Sequence, residues 1–240
     1  VCGRYASTTS DKDIAAAFGV DEIDGDELPP SWNIAPTQQA RVVLERSPRT
    51  DPDGEPLRLL RTVTWGLVPS WAKQVKLGRL INARSETVTK KPAFKAAASR
   101  RRCLVPADGY YEWERRDDGK VPHFLHADDD ILAFAGLYEL RPDHDLPDDH
   151  PDRWLWTYTI LTTTAHDAAG HVHDGFPVLI PPELRDQWLD PHLTDPGDVR
   201  DLLDQVPEPR LQPYPVSTQV NNPRNSGPEL IEPVQPPAER

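Results

Sequence analysis

Between residues 103 and 138 the chain reads as consecutive short strands separated by turn residues, and this meander limits the fold more than any other feature. Cys103-Leu104-Val105 and residues 109–115 are strand-like, Asp117-Asp118-Gly119 has the composition of a hairpin turn, and 121–126 and 131–138 continue the pattern. Residues 40–45 and 57–67 add two strands, joined by a Pro/Asp/Gly-rich turn region over 47–55. In 154–164, Trp154, Trp156, Tyr158 and Ile160 recur at alternate positions and so share one strand face. A short apolar strand follows at 176–180. Helices are few and short. Ser10 caps one over 14–18 that stops at Gly19, 90–102 is an Ala- and Lys-rich candidate after Pro92, and 181–190 and 196–205 open with proline in the first turn. The polar run 141–153 is expected as a surface loop, and the Pro-rich segment from Pro207 to pack back through Val216 and Leu230-Ile231. Together these predict one α+β domain around a curled, largely antiparallel, barrel-like sheet with flanking helices, spanning 2–233 with a tail at 234–240.

With 37% hydrophobic and 28% charged residues, 240 residues suffice for a real core. No apolar run approaches the ~18 residues that span a bilayer, and no signal peptide is visible, so no membrane partner is expected. Two cysteines cannot form a disulfide framework, which makes the reducing cytoplasm the expected compartment. A net charge of −12 argues against nucleic acid at first sight. The average hides a reversal. Residues 72–102 hold ten basic side chains (Lys73, Lys76, Arg79, Arg84, Lys90, Lys91, Lys95, Arg100, Arg101 and Arg102) against Glu86 alone, a local +9 that leaves −21 on the rest. Such a polarised chain is able to hold a polyanion on one face, although a solvated helix and loop give the same count.

Cys2 stands out because the only other cysteine is Cys103 and the chain contains no methionine. Val1 reads as a literal translation of a GTG start codon, in which case trimming leaves Cys2 with a free α-amine. A 1,2-aminothiol is a bidentate nucleophile: its amine titrates near ~7.7–8.0 and its thiol near ~8.5, so both are partly reactive at neutral pH. The amine condenses with an aldehyde to an imine, and the thiol then closes a five-membered thiazolidine; amine or thiol alone also serves in enzymes with N-terminal nucleophiles. A small buried residue is the plain alternative. In "ADGYYEW", Tyr110, Glu112 and Glu114 share a strand face, and a carboxylate among aromatics has a raised pKa suited to acid/base work. Asn82 and Arg84 of "INAR" are co-facial if extended, an arrangement suited to a phosphate or oxyanion. His171 and His173 also sit two apart, so a metal site with His166 is conceivable, but the usual ligand spacings are missing and no metal or cofactor is expected. Trp71 and Phe94 bracket basic residues as a single-strand stacking surface requires, although Trp65 and Trp71 also fit a core.

Seven segments in order, "CGRY", "WNIAPTQ", "WGLVPSW", "INARSET", "RCLVPADGYYEW", "HDGFPVLI" and "VNNPRNSGPELIEP", resemble the SOS-response-associated peptidase (SRAP) family of abasic-site processing proteins over nearly the whole chain. The resemblance implies a sensor that binds single-stranded DNA, is nucleoid-associated when bound, and captures an abasic site through a Cys2 thiazolidine, with AP-lyase-type action through the imine. It implies that Cys2 is the nucleophile, Asn82 positions the sugar or the cysteine, Glu112 handles protons at the amine and imine, and His173 is an acid/base for sugar-ring opening and reversal. Arg4, Asn33, Trp71, Arg84, Lys91 and Phe94 match DNA-holding positions. The partner implied is single-stranded DNA containing abasic sites, bound by a monomer. Alternatives are a cysteine-dependent peptidase acting on its own N-terminus and a non-covalent single-strand binder. One departure is local: the family's His-Asp-Arg-Met-Pro reads here as His173-Asp174-Gly175-Phe176-Pro177, so a phosphate-contacting arginine is missing.

Overall fold

Thirteen strands and four α-helices are formed by the residues that the computed structural model describes, 2–48, 51, 54–117, 119–128, 130–164 and 175–235. In chain order the strands are β1 (Tyr5–Ser7), β2 (Glu22–Asp24), β3 (Ser31–Ile34), β4 (Gln39–Arg46), β5 (Leu57–Trp65), β6 (Asn82–Arg84), β7 (Arg102–Ala107), β8 (Gly109–Arg116), β9 (Gly119–His126), β10 (Leu132–Pro142), β11 (Trp154–Thr163), β12 (Phe176–Pro177) and β13 (Gln212–Pro215). The helices are α1 (Asp11–Phe18), α2 (Lys95–Arg100), α3 (Pro182–Leu189) and α4 (Pro196–Asp204).

The expected curled sheet closes into a barrel. Strands β5, β4, β7, β10 and β11 follow one another with antiparallel pairing, and β11 then meets β5 in parallel, with Thr157 opposite Thr64 and Tyr158 opposite Trp65. Five strands cannot alternate direction all the way round a ring, so one contact must be parallel. A second, antiparallel sheet in the order β13-β9-β8-β1-β3 lies against the barrel. Strand alternation sorts the core. Val42 and Leu44 pack with Trp65, Phe134 and Tyr158, whereas Val43 faces the cluster that Ile14, Phe18, Trp188 and Leu202 of the helices complete. The Trp154-to-Ile160 face is shared as the alternation predicts, but it is graded: Tyr158 and Ile160 are buried, Trp156 is half-buried and Trp154 reaches solvent at the barrel end.

Helix α1 has the predicted cap, with Ser10 accepting from the Asp13 N–H at 3.2 Å and Gly19 in the left-handed region. The predicted helix over 90–102 shrinks to α2, because Arg102 already belongs to β7. Its buried guanidinium takes the carbonyls of Trp188 and Ala98 at 2.7 Å and that of Asp190. Near the start of the chain, Arg41 makes a two-pronged contact with Asp11 at 3.0 and 2.6 Å, and both side chains are at least nine-tenths buried. Removing one member strands a buried charge. Asp11→Ala is therefore expected to lower stability by roughly 3–5 kcal/mol, read by urea unfolding. Among the described residues no helix is long and apolar enough to cross a membrane.

Candidate active site and nucleic-acid interface

Strand β1 is hydrogen-bonded on both sides, to β3 and to β8, with Tyr5 opposite Ile34 and Tyr110. The Tyr111 N–H donates to the Arg4 carbonyl at 3.0 Å, which carries the pairing toward the chain start. Cys2 is thereby fully buried in the cluster with Tyr5, Tyr110, Phe134 and Tyr158. Burial pushes its thiol well above the ordinary range, the nearby Glu112 charge pushes it further, and the Arg4 backbone N–H only partly offsets this. Glu112 is 3% exposed, and burial raises its carboxyl to about 7. The alternation in "GYYEW" holds: the buried Tyr110 phenol feels both Glu112 and Cys2. The third member of that face, Glu114, is only half-buried and pairs with Arg116 at 2.7 Å.

Asn82 and Arg84 lie on β6, which runs parallel to β11 with Asn82 opposite Ile160 and Arg84 opposite Thr162. The two side chains therefore share a face, and neighbouring Ile81 packs on the Cys2 cluster. The Asn82 amide donates a long 3.5 Å bond to the Ile160 carbonyl, while its buried Oδ1 has no donor among the described residues. A buried amide oxygen without a donor is costly unless a ligand supplies one. Arg84 is exposed.

The predicted DNA-holding residues divide into two groups. Trp71 is 67% exposed and borders an apolar cleft of about 330 Å³ whose rim carries Lys76 and Arg79. The loop that presents it is tied down by Val68 N–H to Thr157 Oγ1 at 2.9 Å, Ser70 N–H to Glu139 at 3.1 Å, and Arg141 to the Ala72 carbonyl at 3.1 Å. At its base Gly66 has φ +123°, and a side chain there would run into the Gly78 backbone. Lys91 is exposed with Arg84. Phe94, by contrast, is 4% exposed and sits in the core beside α2, so in this structure it offers no stacking surface; its ring follows the apolar face that Ala97 and Ala98 continue. Asn33 is also buried, and its amide is spent on the carbonyls of Val220, Asn222 and Asn225. Arg4 is half-buried and bonds Asn33 and the Val220 and Asn221 carbonyls. Of the ten basic side chains of residues 72–102, Arg102 is inside and Arg101 pairs with Glu139 at 2.5 Å, which leaves eight exposed cations. Trp65 takes the core position that the sequence also allowed, fully buried and stacked on Tyr158.

His173, with His166, His171 and Asp174, lies outside the described residues. The chain is described again from Gly175, which has φ +116° and whose Cβ would stand 3.0 Å from the Thr163 carbonyl. Restoring the family arginine by Gly175→Arg is therefore expected to cost roughly 1 kcal/mol or more in stability, read as a lower thermal midpoint. Sequence reasoning missed the buried Tyr5–Tyr158 hydroxyl pair at 2.7 Å, because the partners are 153 residues apart. It also assigned no role to Glu139, whose only sequence signal is a polar residue at the end of an apolar strand.

The family model "SOS response associated peptidase (SRAP)" matches residues 1–223. The abasic site processing protein YoqW of Bacillus subtilis is 37% identical over 97% of this chain and 99% of its own length. The abasic site processing protein HMCES of Xenopus tropicalis is 29% identical over 96% of this chain and 78% of its own length. Among solved structures, a Bacteroides thetaiotaomicron protein superposes with a TM-score of 0.76 at 20% identity, covering 98% of this chain and all of its own. A phage-related protein of Bordetella bronchiseptica reaches 0.67 at 30% identity, covering 90% of this chain and 94% of its own. With a family match over most of its length, near-full-length relatives and this barrel, the chain belongs to the SOS response associated peptidase (SRAP) family.

Proposed function

We propose that this protein captures abasic sites in single-stranded DNA by forming a thiazolidine through Cys2. The observation that carries the reading is the burial of Cys2 and Glu112 near each other, which raises the Glu112 carboxyl to about 7. An abasic deoxyribose is mostly a closed hemiacetal, so its ring must open before the aldehyde reacts. Once Cys2 is the first residue, its neutral α-amine attacks the aldehyde carbon. A proton from Glu112 lets the carbinolamine oxygen leave as water, giving the imine. The Cys2 sulfur then bonds to the imine carbon, its proton passes to the nitrogen, and the ring closes. One water is lost overall and nothing is oxidised or reduced. Asn82 Oδ1 supplies an acceptor for the amine or a sugar hydroxyl, and Arg84, Lys91 and Trp71 hold the strand. His173 retains its proposed role in opening the sugar ring. β-Elimination from the imine is the accompanying lyase route.

The raised thiol favours this order over a peptidase. A cysteine peptidase needs a thiolate, and its surroundings lower the thiol pKa; here burial and a carboxylate do the opposite. Intact-mass measurement tests the reading. The purified protein should begin at Cys2, and mixing with abasic single-stranded DNA should give an adduct equal to protein plus DNA less one water. A chain that retains Val1 and still forms that adduct would refute the thiazolidine.

A further inference from the structure

The motif "VNNPRNSGPELIEP" has no task in this chemistry, yet the structure spends many side chains on its first part. Arg4 donates to the Val220 carbonyl at 2.8 Å, and the Asn33 amide reaches the Val220, Asn222 and Asn225 carbonyls at 3.2, 3.1 and 2.9 Å. The Trp113 indole N–H donates to Asn221 Oδ1 at 2.6 Å. Within the turn, Asn225 donates to the Gln219 carbonyl at 2.9 Å, and the Arg224 N–H donates to Asn222 Oδ1 at 3.1 Å. Two of these anchors belong to the strands that carry the reacting groups: Arg4 leads into β1, and Trp113 lies in β8 on the face opposite Glu112. The turn therefore rides on the strand pair that holds the nucleophile and the acid.

Burial does not explain so much fastening at the tip. Val220 beneath it is buried, but Asn221, Asn222, Pro223 and Arg224 are all exposed. The Arg224 guanidinium makes no hydrogen bond or ion pair among the described residues, whereas Arg4 beside it has its guanidinium committed to Asn33 and two carbonyls. An arginine held out on a pinned turn, free of carboxylate partners, suits a phosphate, which its planar fork binds in two-pronged fashion. We propose that the turn 219–225 is a phosphate subsite in which Arg224 grips the DNA backbone, with Arg4 and Asn33 as its supports and not as the gripping groups.

This rests on the DNA-binding reading above, and the test separates the two. Fluorescence polarisation of a labelled undamaged single strand is measured across salt for wild type, Arg224→Gln and Arg224→Lys. Arg224→Gln should weaken binding about 3- to 10-fold at low salt and make the log–log salt slope shallower by about 0.7, one phosphate's worth, while Arg224→Lys restores the slope. Thermal midpoints should not move, since the side chain holds nothing in the protein. Wild-type affinity and slope in Arg224→Gln overturn the subsite. So does weaker binding that comes with a lower midpoint and an unchanged slope, which marks a structural role. Failure of the wild type to bind any single strand sinks the DNA reading itself.

Discussion

Replacing Cys2 with alanine should abolish the covalent adduct with abasic single-stranded DNA, while Cys103→Ser leaves it intact. The two cysteines are equally buried, and burial raises both thiols, so neither exposure nor thiol acidity distinguishes them. Position does. Cys103 lies inside β7, where a Cβ on Gly136 would stand 2.8 Å from its sulfur, and its nitrogen is a peptide N–H. On the proposed reading, removal of Val1 gives Cys2 an α-amine beside its thiol, and only such a pair closes a five-membered ring with one aldehyde carbon. Alanine at position 2 keeps the amine, so an imine still forms. That imine hydrolyses unless it is reduced, because no sulfur follows to trap it. Denaturing gels with and without borohydride separate the cases: wild type should survive denaturation untreated, and Cys2→Ala should appear only after reduction. An untreated adduct in Cys2→Ala would mean that another residue is the nucleophile. Peptide cleavage by wild type, lost in Cys2→Ala, would point back to the peptidase reading.

Glu112→Gln should slow adduct formation by about 10²- to 10⁴-fold, the usual worth of a positioned acid/base, and should remove the alkaline limb of its pH profile. The rate in wild type rises as the amine loses its proton near ~7.7–8.0 and falls as Glu112 loses its own near 7. Their product is a bell centred between those values. Glutamine cannot titrate, so the variant should rise to a plateau with no descent. Stability changes in the matching sense. Glu112 binds its proton more tightly in the folded than in the unfolded protein, so its contribution is full below about 4.5 and is lost as pH rises through about 7. Wild type should therefore lose up to about 3 kcal/mol relative to Glu112→Gln across that window, read by urea unfolding at pH 4.5 and 8. A bell-shaped profile retained in Glu112→Gln would assign the proton transfers elsewhere.

The legible parts of the chain are those governed by neighbours in sequence. The cap at Ser10 and stop at Gly19, the β8–β9 hairpin and the proline-opened helices α3 and α4 all depend on dihedral preferences and local hydrogen bonds. Alternation placed Tyr110 with Glu112, and Asn82 with Arg84, because a strand's period of two holds wherever it pairs. Phe94 shows where such reasoning stops: an aromatic among lysines has the same composition whether it faces DNA or the core, and only the packing of α2 on the barrel turned it inward. Asn33 and Arg4 are similar, since their partners at 220–225 lie about 190 and 216 residues away and leave no local trace. Arg101 and Arg102 counted toward a basic surface until tertiary contacts spent them on Glu139 and on helix-end carbonyls.

By itself the sequence determined the strand meander and the shared faces of Tyr110 with Glu112 and of Asn82 with Arg84, since each follows from chemistry within a few residues. Only the tertiary structure decided that the sheet closes with one parallel contact, that Cys2 and Glu112 are buried near each other, and which cations remain on the surface. Those outcomes join segments far apart in the chain, and burial, which sets the Glu112 carboxyl near 7, belongs to the assembled fold and to no segment of it.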